Sequence, residues 1–278
     1  MAHPWRLCSL QQVEQLKSLI RVGPIWLSMI SYFVCQTQLS TFFILQAETV
    51  DRHVGKHFQF PAGSFGCFNM LTLILFLPIY DRLFVPFSRR MTKEGRGITI
   101  LQRIGVGYAV ATVSMAVAAV VETKRRNVAL SHGFMEKPGD VIPMSALWLV
   151  PQYSVMGVAE TFSIIGGVEF LYRQFPENLR SLGSALFFLS SGVGNYLSSL
   201  IVRIVQNTTG GPGHNNWLPQ NLNNGKLDNF YWLLAGYSAV NFVYFVIVAR
   251  WYRDKATVED QTTEASIIGQ DNQVLPDA

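Results

Sequence analysis

Charge is what this sequence has least of. Asp, Glu, Lys and Arg make up 14% of its 278 residues, against roughly 25% in an ordinary soluble domain. The net charge of +4 and the lack of any dense Lys/Arg tract exclude nucleic acid as a partner. Cysteine is scarce: Cys8, Cys35 and Cys67 are odd in number, and two of them lie in apolar stretches. They form no disulfide framework and read as small buried hydrophobes. The five histidines (His3, His53, His57, His132, His214) all fall in polar connections, which rules out an imidazole relay through the apolar segments. His53 and His57 are four apart, but a solvated loop accounts for them better than a ligand pair. The phosphate-loop pattern Gly-x-x-x-x-Gly-Lys-Ser/Thr and the nucleophile pattern Gly-x-Ser-x-Gly are both missing. The residues offer no metal cluster, no cofactor site and no catalytic constellation, so an enzyme is not expected.

What the chain has instead is apolar length. A bilayer-spanning helix needs roughly 20 mostly apolar residues. Segments 22–47, 61–80, 104–121, 182–202 and 229–249 contain no Asp, Glu, Lys or Arg, and 141–168 contains a single one, Glu160. The expected fold is an all-α membrane protein with six transmembrane helices. The expected organisation is a linker with an amphipathic segment over 1–21, a bundle over 22–252 and an acidic, disordered tail over 253–278. Val13, Leu16 and Ile20 supply the helical spacing in the linker. The first span is too long for a secretory signal, and no small-residue cleavage pattern follows it. Asn207-Thr208-Thr209 matches a glycosylation acceptor, but its place at a helix end favours a chance match.

With six spans both termini share a side with the second and fourth connections. That side holds 14 of the 22 basic residues and the other holds 8, which places the termini in the cytoplasm. Lys124-Arg125-Arg126 argues locally against this orientation.

Glu160 is the leading functional residue. A carboxylate near the centre of a span costs roughly 2.5–3.5 kcal/mol on insertion scales, so it persists where it faces a partner, water or a ligand. Gln152 lies eight residues earlier, about 80° around the helix, and can share a broad face with it. Glu169 is half a turn away from that face. Gln36, Thr37, Gln38, Ser40 and Thr41 crowd the first span and Asn69 sits in the second. Interhelical hydrogen bonding is an equally good account of Gln36, Gln38 and Asn69. Asp81-Arg82 followed by Arg89-Arg90 suits a breakable ion pair at a helix end. Glycines and serines of the fourth and fifth spans (Gly166, Gly167, Gly183, Ser184, Ser190, Ser191, Gly192, Gly194) allow close helix packing.

Several runs together resemble the plant nitrate and peptide transporter family, a branch of the proton-coupled oligopeptide transporters with the major facilitator fold. They are Pro4-Trp5-Arg6-Leu7-Cys8 with Gln12-Val13-Glu14-Gln15-Leu16-Lys17, Pro61-Ala62-Gly63-Ser64 and Tyr80-Asp81-Arg82. They continue with Leu101-Gln102-Arg103-Ile104-Gly105, Val150-Pro151-Gln152-Tyr153, Arg180-Ser181-Leu182-Gly183-Ser184-Ala185 and Asn216-Trp217-Leu218-Pro219. The resemblance covers the C-terminal half of that twelve-helix architecture. It implies that Glu160 is a substrate- or proton-linked group of a central cavity, with Gln36, Asn69 and Gln152 as further cavity residues. Nitrate-transporting relatives can carry a histidine at the position of Gln36, and a neutral amide cannot become cationic as an imidazole can. The Glu-x-x-Glu-Arg type motif of the family's first helix does not occur in this sequence.

The expected function is therefore half of a proton-coupled symporter for nitrate, a peptide or a related organic anion, in the plasma or vacuolar membrane and incomplete without an N-terminal half. The alternatives are a truncated membrane protein that associates with full-length relatives without transporting, and a six-helix channel or scaffold.

Overall fold

The computed structural model describes residues 10–80, 82, 99–134, 140–175, 179–210, 216–219 and 221–252. Helix α1 runs Leu10–Gln36 and is followed by a 3-10 turn, Thr37–Ser40, and by α2, Phe42–Glu48. The longer helices that follow are α3 (Gly66–Ile79), α4 (Ile100–Ser131), α5 (Val150–Gln174), α6 (Arg180–Thr209) and α7 (Leu227–Trp251). Among the described residues, six helical stretches are long and apolar enough to cross a membrane: Leu19–Glu48, Ala62–Ile79, Ile100–Ser131, Ala146–Gln174, Arg180–Thr209 and Leu227–Trp251.

The first span is broken in its middle, and its hydroxyls supply the reason. Thr37 donates to Phe33 O (2.7 Å), while Ser40 and Thr41 both donate to Thr37 O (3.2 and 3.0 Å). Such bonds offer the carbonyls an alternative to the helical ladder, and the chain passes through Thr41 at φ −122°, ψ −97° before α2 resumes. Helix α4 is uninterrupted over 32 residues and begins with a capping box between Thr99 and Gln102. It extends well beyond 121, where its charge-free run ends. The fourth span starts later than its apolar run does. Residues Ile142–Ser145 form a strand, β4, and α5 begins only at Val150, with Pro151 in its first turn.

Strand β4 pairs in parallel with β1 (Val50–Asp51), and Ile142 N–H donates to Thr49 O at 2.9 Å. The first and third connections therefore meet on one side of the bundle. A small hairpin, β2 (His53–Val54) with β3 (Phe58–Gln59), decorates the same side. There the exposed His53 contributes its ring nitrogen (2.6 Å) and its amide (3.1 Å) to Asp51 Oδ1, holding that carboxyl below the usual carboxylate range.

Helix α5 is the hub, flanked by α3, α4 and α6, while α1 lies against α6 and α7, and α4 against α7. The α4 and α5 spans are 56% and 61% buried, whereas α3 and α6 are each only 17% buried. Interlocked aromatics fill the centre: Tyr32 stacks on Tyr108 with centroids 5.4 Å apart, and Phe43 meets Tyr153 and Tyr231 edge to face. Small residues set the helix spacing unevenly. A Cβ at Gly107 would sit 2.7 Å from Ser163 N, so α4 and α5 are in backbone contact there, while Gly192 faces open space. The Asn207-Thr208-Thr209 triplet is helical, and both threonine hydroxyls bond back to α6 carbonyls.

Candidate functional site

Glu160 sits ten residues into α5 and fourteen from its end, about 15 Å and 21 Å along the axis at 1.5 Å per residue. It is therefore mid-span, and it is 6% exposed. Gln36, the last residue of α1 before the break, donates its Nε2 to Glu160 Oε1 at 3.2 Å. Asn69 on α3 reaches the other carboxylate oxygen. With its amide oriented to match donors with acceptors, it donates to Glu160 Oε2 (3.2 Å) and accepts from Gly157 N–H (3.1 Å). Gly157 makes this possible, because a Cβ there would lie 2.6 Å from Asn69 O. Three helices thus converge on one carboxylate through two neutral amides. Among the described residues no cation forms an ion pair with Glu160. A carboxylate held only by amides can change protonation state, or exchange an amide for a ligand, without stranding an opposite charge.

Gln152 is elsewhere. It is fully buried two turns before Glu160, and its Nε2 donates to Gln46 Oε1 on α2 at 2.9 Å. It belongs to a second polar centre that the sequence reading did not find. Gln46 donates in turn to Glu122 Oε2 (2.8 Å), and Glu122 is held by Arg125 through Nε (2.8 Å) and Nη2 (2.6 Å). Arg125 Nη1 also donates to Thr49 Oγ1 (3.1 Å) and Asn223 Oδ1 (2.8 Å). Both charged side chains are 1% exposed. The centre lies about 33 Å up α4 from Ile100, at the edge of a hydrocarbon core roughly 30 Å thick. A paired charge is tolerated there.

The same geometry explains the basic triplet that counted against the orientation. Arg125 is neutralised by Glu122, Arg126 lies 3.5 Å from Asp228, and Lys124 sits over the Trp148 ring. The one available signal was Glu122 and Arg125 at helical i, i+3 spacing directly after an apolar run.

At the other end of the bundle, Arg103 lies over the Tyr80 ring at 4.8 Å and reaches Glu169 at 3.4 Å, and Glu169 also pairs with Arg173 at 2.6 Å. These contacts join α4 to α5 and to the end of α3. Arg82 is exposed, while Asp81, Arg89 and Arg90 lie outside the described residues. Of the other first-span amides, Gln38 donates to Val34 O and to Ser198 Oγ on α6 (2.9 and 3.1 Å), an interhelical bond.

Among the described residues, six helices long and apolar enough to span a membrane, with a broken first span and a carboxylate at its junction with the fourth, form the architecture of one six-helix half of a major facilitator-type fold. Solved structures agree in fold. The structure superposes on an auto inhibited POT family peptide transporter with a TM-score of 0.68, at 23% identity, covering 87% of this chain and 42% of that one. The transporter PepTSo gives a TM-score of 0.62 at 20% identity, with 88% and 43% covered. The chain belongs to the POT family, whose profile matches residues 1–218. Among curated relatives, Arabidopsis thaliana Protein NRT1/ PTR FAMILY 2.11 is 45% identical over 266 residues, which is 94% of this chain and 43% of that protein. Protein NRT1/ PTR FAMILY 2.13 of the same plant is 48% identical over 254 residues, 91% and 40% respectively. The chain thus spans about two-fifths of the length of these relatives.

Proposed function

We propose that this chain forms the C-terminal wall of a proton-coupled symporter for a small anionic or peptide-like solute, and that it works against a second six-helix half. The observation that carries this is the mid-span Glu160 carboxylate, buried and held, among the described residues, by the Gln36 and Asn69 amides. Its protonation, or the replacement of one amide by a solute group, is the local event that couples proton and solute. The low burial of α3 and α6 supports a second half as partner, since both present long apolar faces outside the bundle. Met70, Ile74 and Leu75 on α3 and Phe188 and Tyr196 on α6 are each at least 62% exposed.

Solved relatives of the same fold bound to a thioalcohol-conjugated peptide and to 5-aminolevulinic acid support solutes carrying amine and carboxylate groups. Nitrate, implied by the sequence resemblance, is a second candidate, although Gln36 stands where nitrate-transporting relatives can carry a histidine. The plasma membrane and the vacuolar membrane are the proposed locations.

The test is uptake into proteoliposomes under an imposed proton gradient, with the chain co-reconstituted with the N-terminal half of a plant relative. Labelled dipeptide and nitrate are assayed in parallel. Gradient-driven uptake that needs both halves and is abolished by Glu160→Gln at equal protein level supports the reading. Uptake indifferent to Glu160→Gln overturns the role of Glu160, and uptake by the chain alone overturns the need for a partner half.

A further inference from the structure

Away from Glu160, the first turns of α4 and the last turns of α7 leave a groove of about 710 Å³. Its walls are apolar, formed by Val106 and Ala109 on one side and Phe242, Phe245 and Val246 on the other. Polar groups gather at one end only, where Thr99, Gln102 and Arg250 line it. Arg250 is exposed and, among the described residues, makes no ion pair with a carboxylate. Across the last turn of α7 a smaller cavity of about 360 Å³ holds a second exposed arginine, Arg21, and the two cavities share Tyr252. Between them Trp251 is 86% exposed, as suits an aromatic side chain at the membrane interface.

We propose that this groove binds one anionic glycerophospholipid, drawn from the leaflet on the side of the two termini. An apolar trough inside the hydrocarbon layer accepts acyl chains whatever their headgroup, so shape alone does not select the lipid. The cations at its rim do. Arg250 stands where the trough meets the polar layer, and Arg21 extends the positive rim around the end of α7. The 14-to-8 bias of basic residues puts this end at the leaflet whose anionic lipids attract Lys and Arg. A guanidinium is also the side chain best suited to a phosphate, which it can grip with two parallel hydrogen bonds. Glu160 does not line this groove.

The experiment is native mass spectrometry of the purified full chain, offered equal amounts of phosphatidylglycerol and phosphatidylcholine. The wild type should retain one phosphatidylglycerol in preference to phosphatidylcholine. Arg250→Gln should reduce that preference about five-fold, the equivalent of roughly one basic residue at a charged leaflet. Ala109→Trp, which fills the trough, should remove both lipids while helix content by circular dichroism stays unchanged. Equal retention of the two lipids by the wild type, or an undiminished preference in Arg250→Gln, would overturn the proposal. Phosphatidylglycerol binding that emerges only after residues 253–278 are deleted would also overturn it, assigning the groove to the chain's own acidic tail.

Discussion

Glu122 and Arg125, one turn apart on α4, face each other through two hydrogen bonds of 2.6 and 2.8 Å, and both are 1% exposed. Through them the neighbouring ends of the first, third and fourth spans and the loop at Asn223 are tied into one body. Gln46, Thr49 and Asn223 contact the pair directly, and Gln152 is added through Gln46. The pair sits apart from Glu160 and acts on the shape of the bundle.

Removing one partner should therefore be far worse than removing both. Arg125→Met leaves Glu122 buried without its counter-ion, and Glu122→Gln does the converse. Loss of one member of a buried pair costs about 3–5 kcal/mol, while apolar replacement of both can be close to neutral. Thermal unfolding followed by fluorescence-detected size exclusion should show a large drop for each single variant and substantial recovery in Glu122→Leu/Arg125→Met. A loss in the double as large as the two single losses together would mean the pair contributes no coupling.

Glu160 should behave differently. Glu160→Gln preserves volume and can still accept a bond, and the Gln36 and Asn69 amides can rotate to suit it, so the expected change in stability is within about 1 kcal/mol. Glu160→Leu leaves the amide donors of buried Asn69 and part-buried Gln36 without an acceptor, costing about 1–3 kcal/mol for the buried one and less for the other. The same thermal assay should rank Glu160→Gln near the wild type and Glu160→Leu well below it. A Glu160→Gln variant as unstable as Glu160→Leu would mark the carboxylate as a fold-holding group.

Gly157 links site and packing. Its missing Cβ lets Asn69 O approach to where a side chain would lie 2.6 Å away, and its N–H is the donor that orients the Asn69 amide. Gly157→Val should push α3 off α5 and cost about 1–3 kcal/mol, as overpacking generally does. A cysteine pair placed across α3 and α5 should then crosslink more slowly than in the wild-type background. An unchanged crosslinking rate would show that α3 can shift without widening that contact.

The polar centres were legible to different degrees. A lone charge inside a long apolar run singles out Glu160 because the bilayer makes it expensive. Gln36 and Asn69 stand out in the same way as amides inside spans, and the fold brings both to Glu160. Gln152 shares a helix face with Glu160 in sequence, yet eight residues along a helix is about 12 Å, and that separation carries it to α2 and the other centre. Glu122 and Arg125 were hidden because they follow the apolar run, where charges ordinarily mark a solvated loop. Only the continuation of α4 to Ser131 puts them inside the bundle.

Hydropathy and charge placement alone determine that this chain is a six-span membrane protein, because every backbone group in hydrocarbon must be satisfied within its own segment and this leaves helices as the only reading of such runs. The tertiary structure decides which polar residues share a site. Partner choice across helices depends on their relative rotation, on breaks such as the one at Thr37–Thr41, and on the close approaches that Gly157 and Gly107 permit. None of these is a property of any one segment. Glu160 announces itself in the sequence; its two amides, and the separate anchor built on Glu122 and Arg125, exist only once the helices are packed.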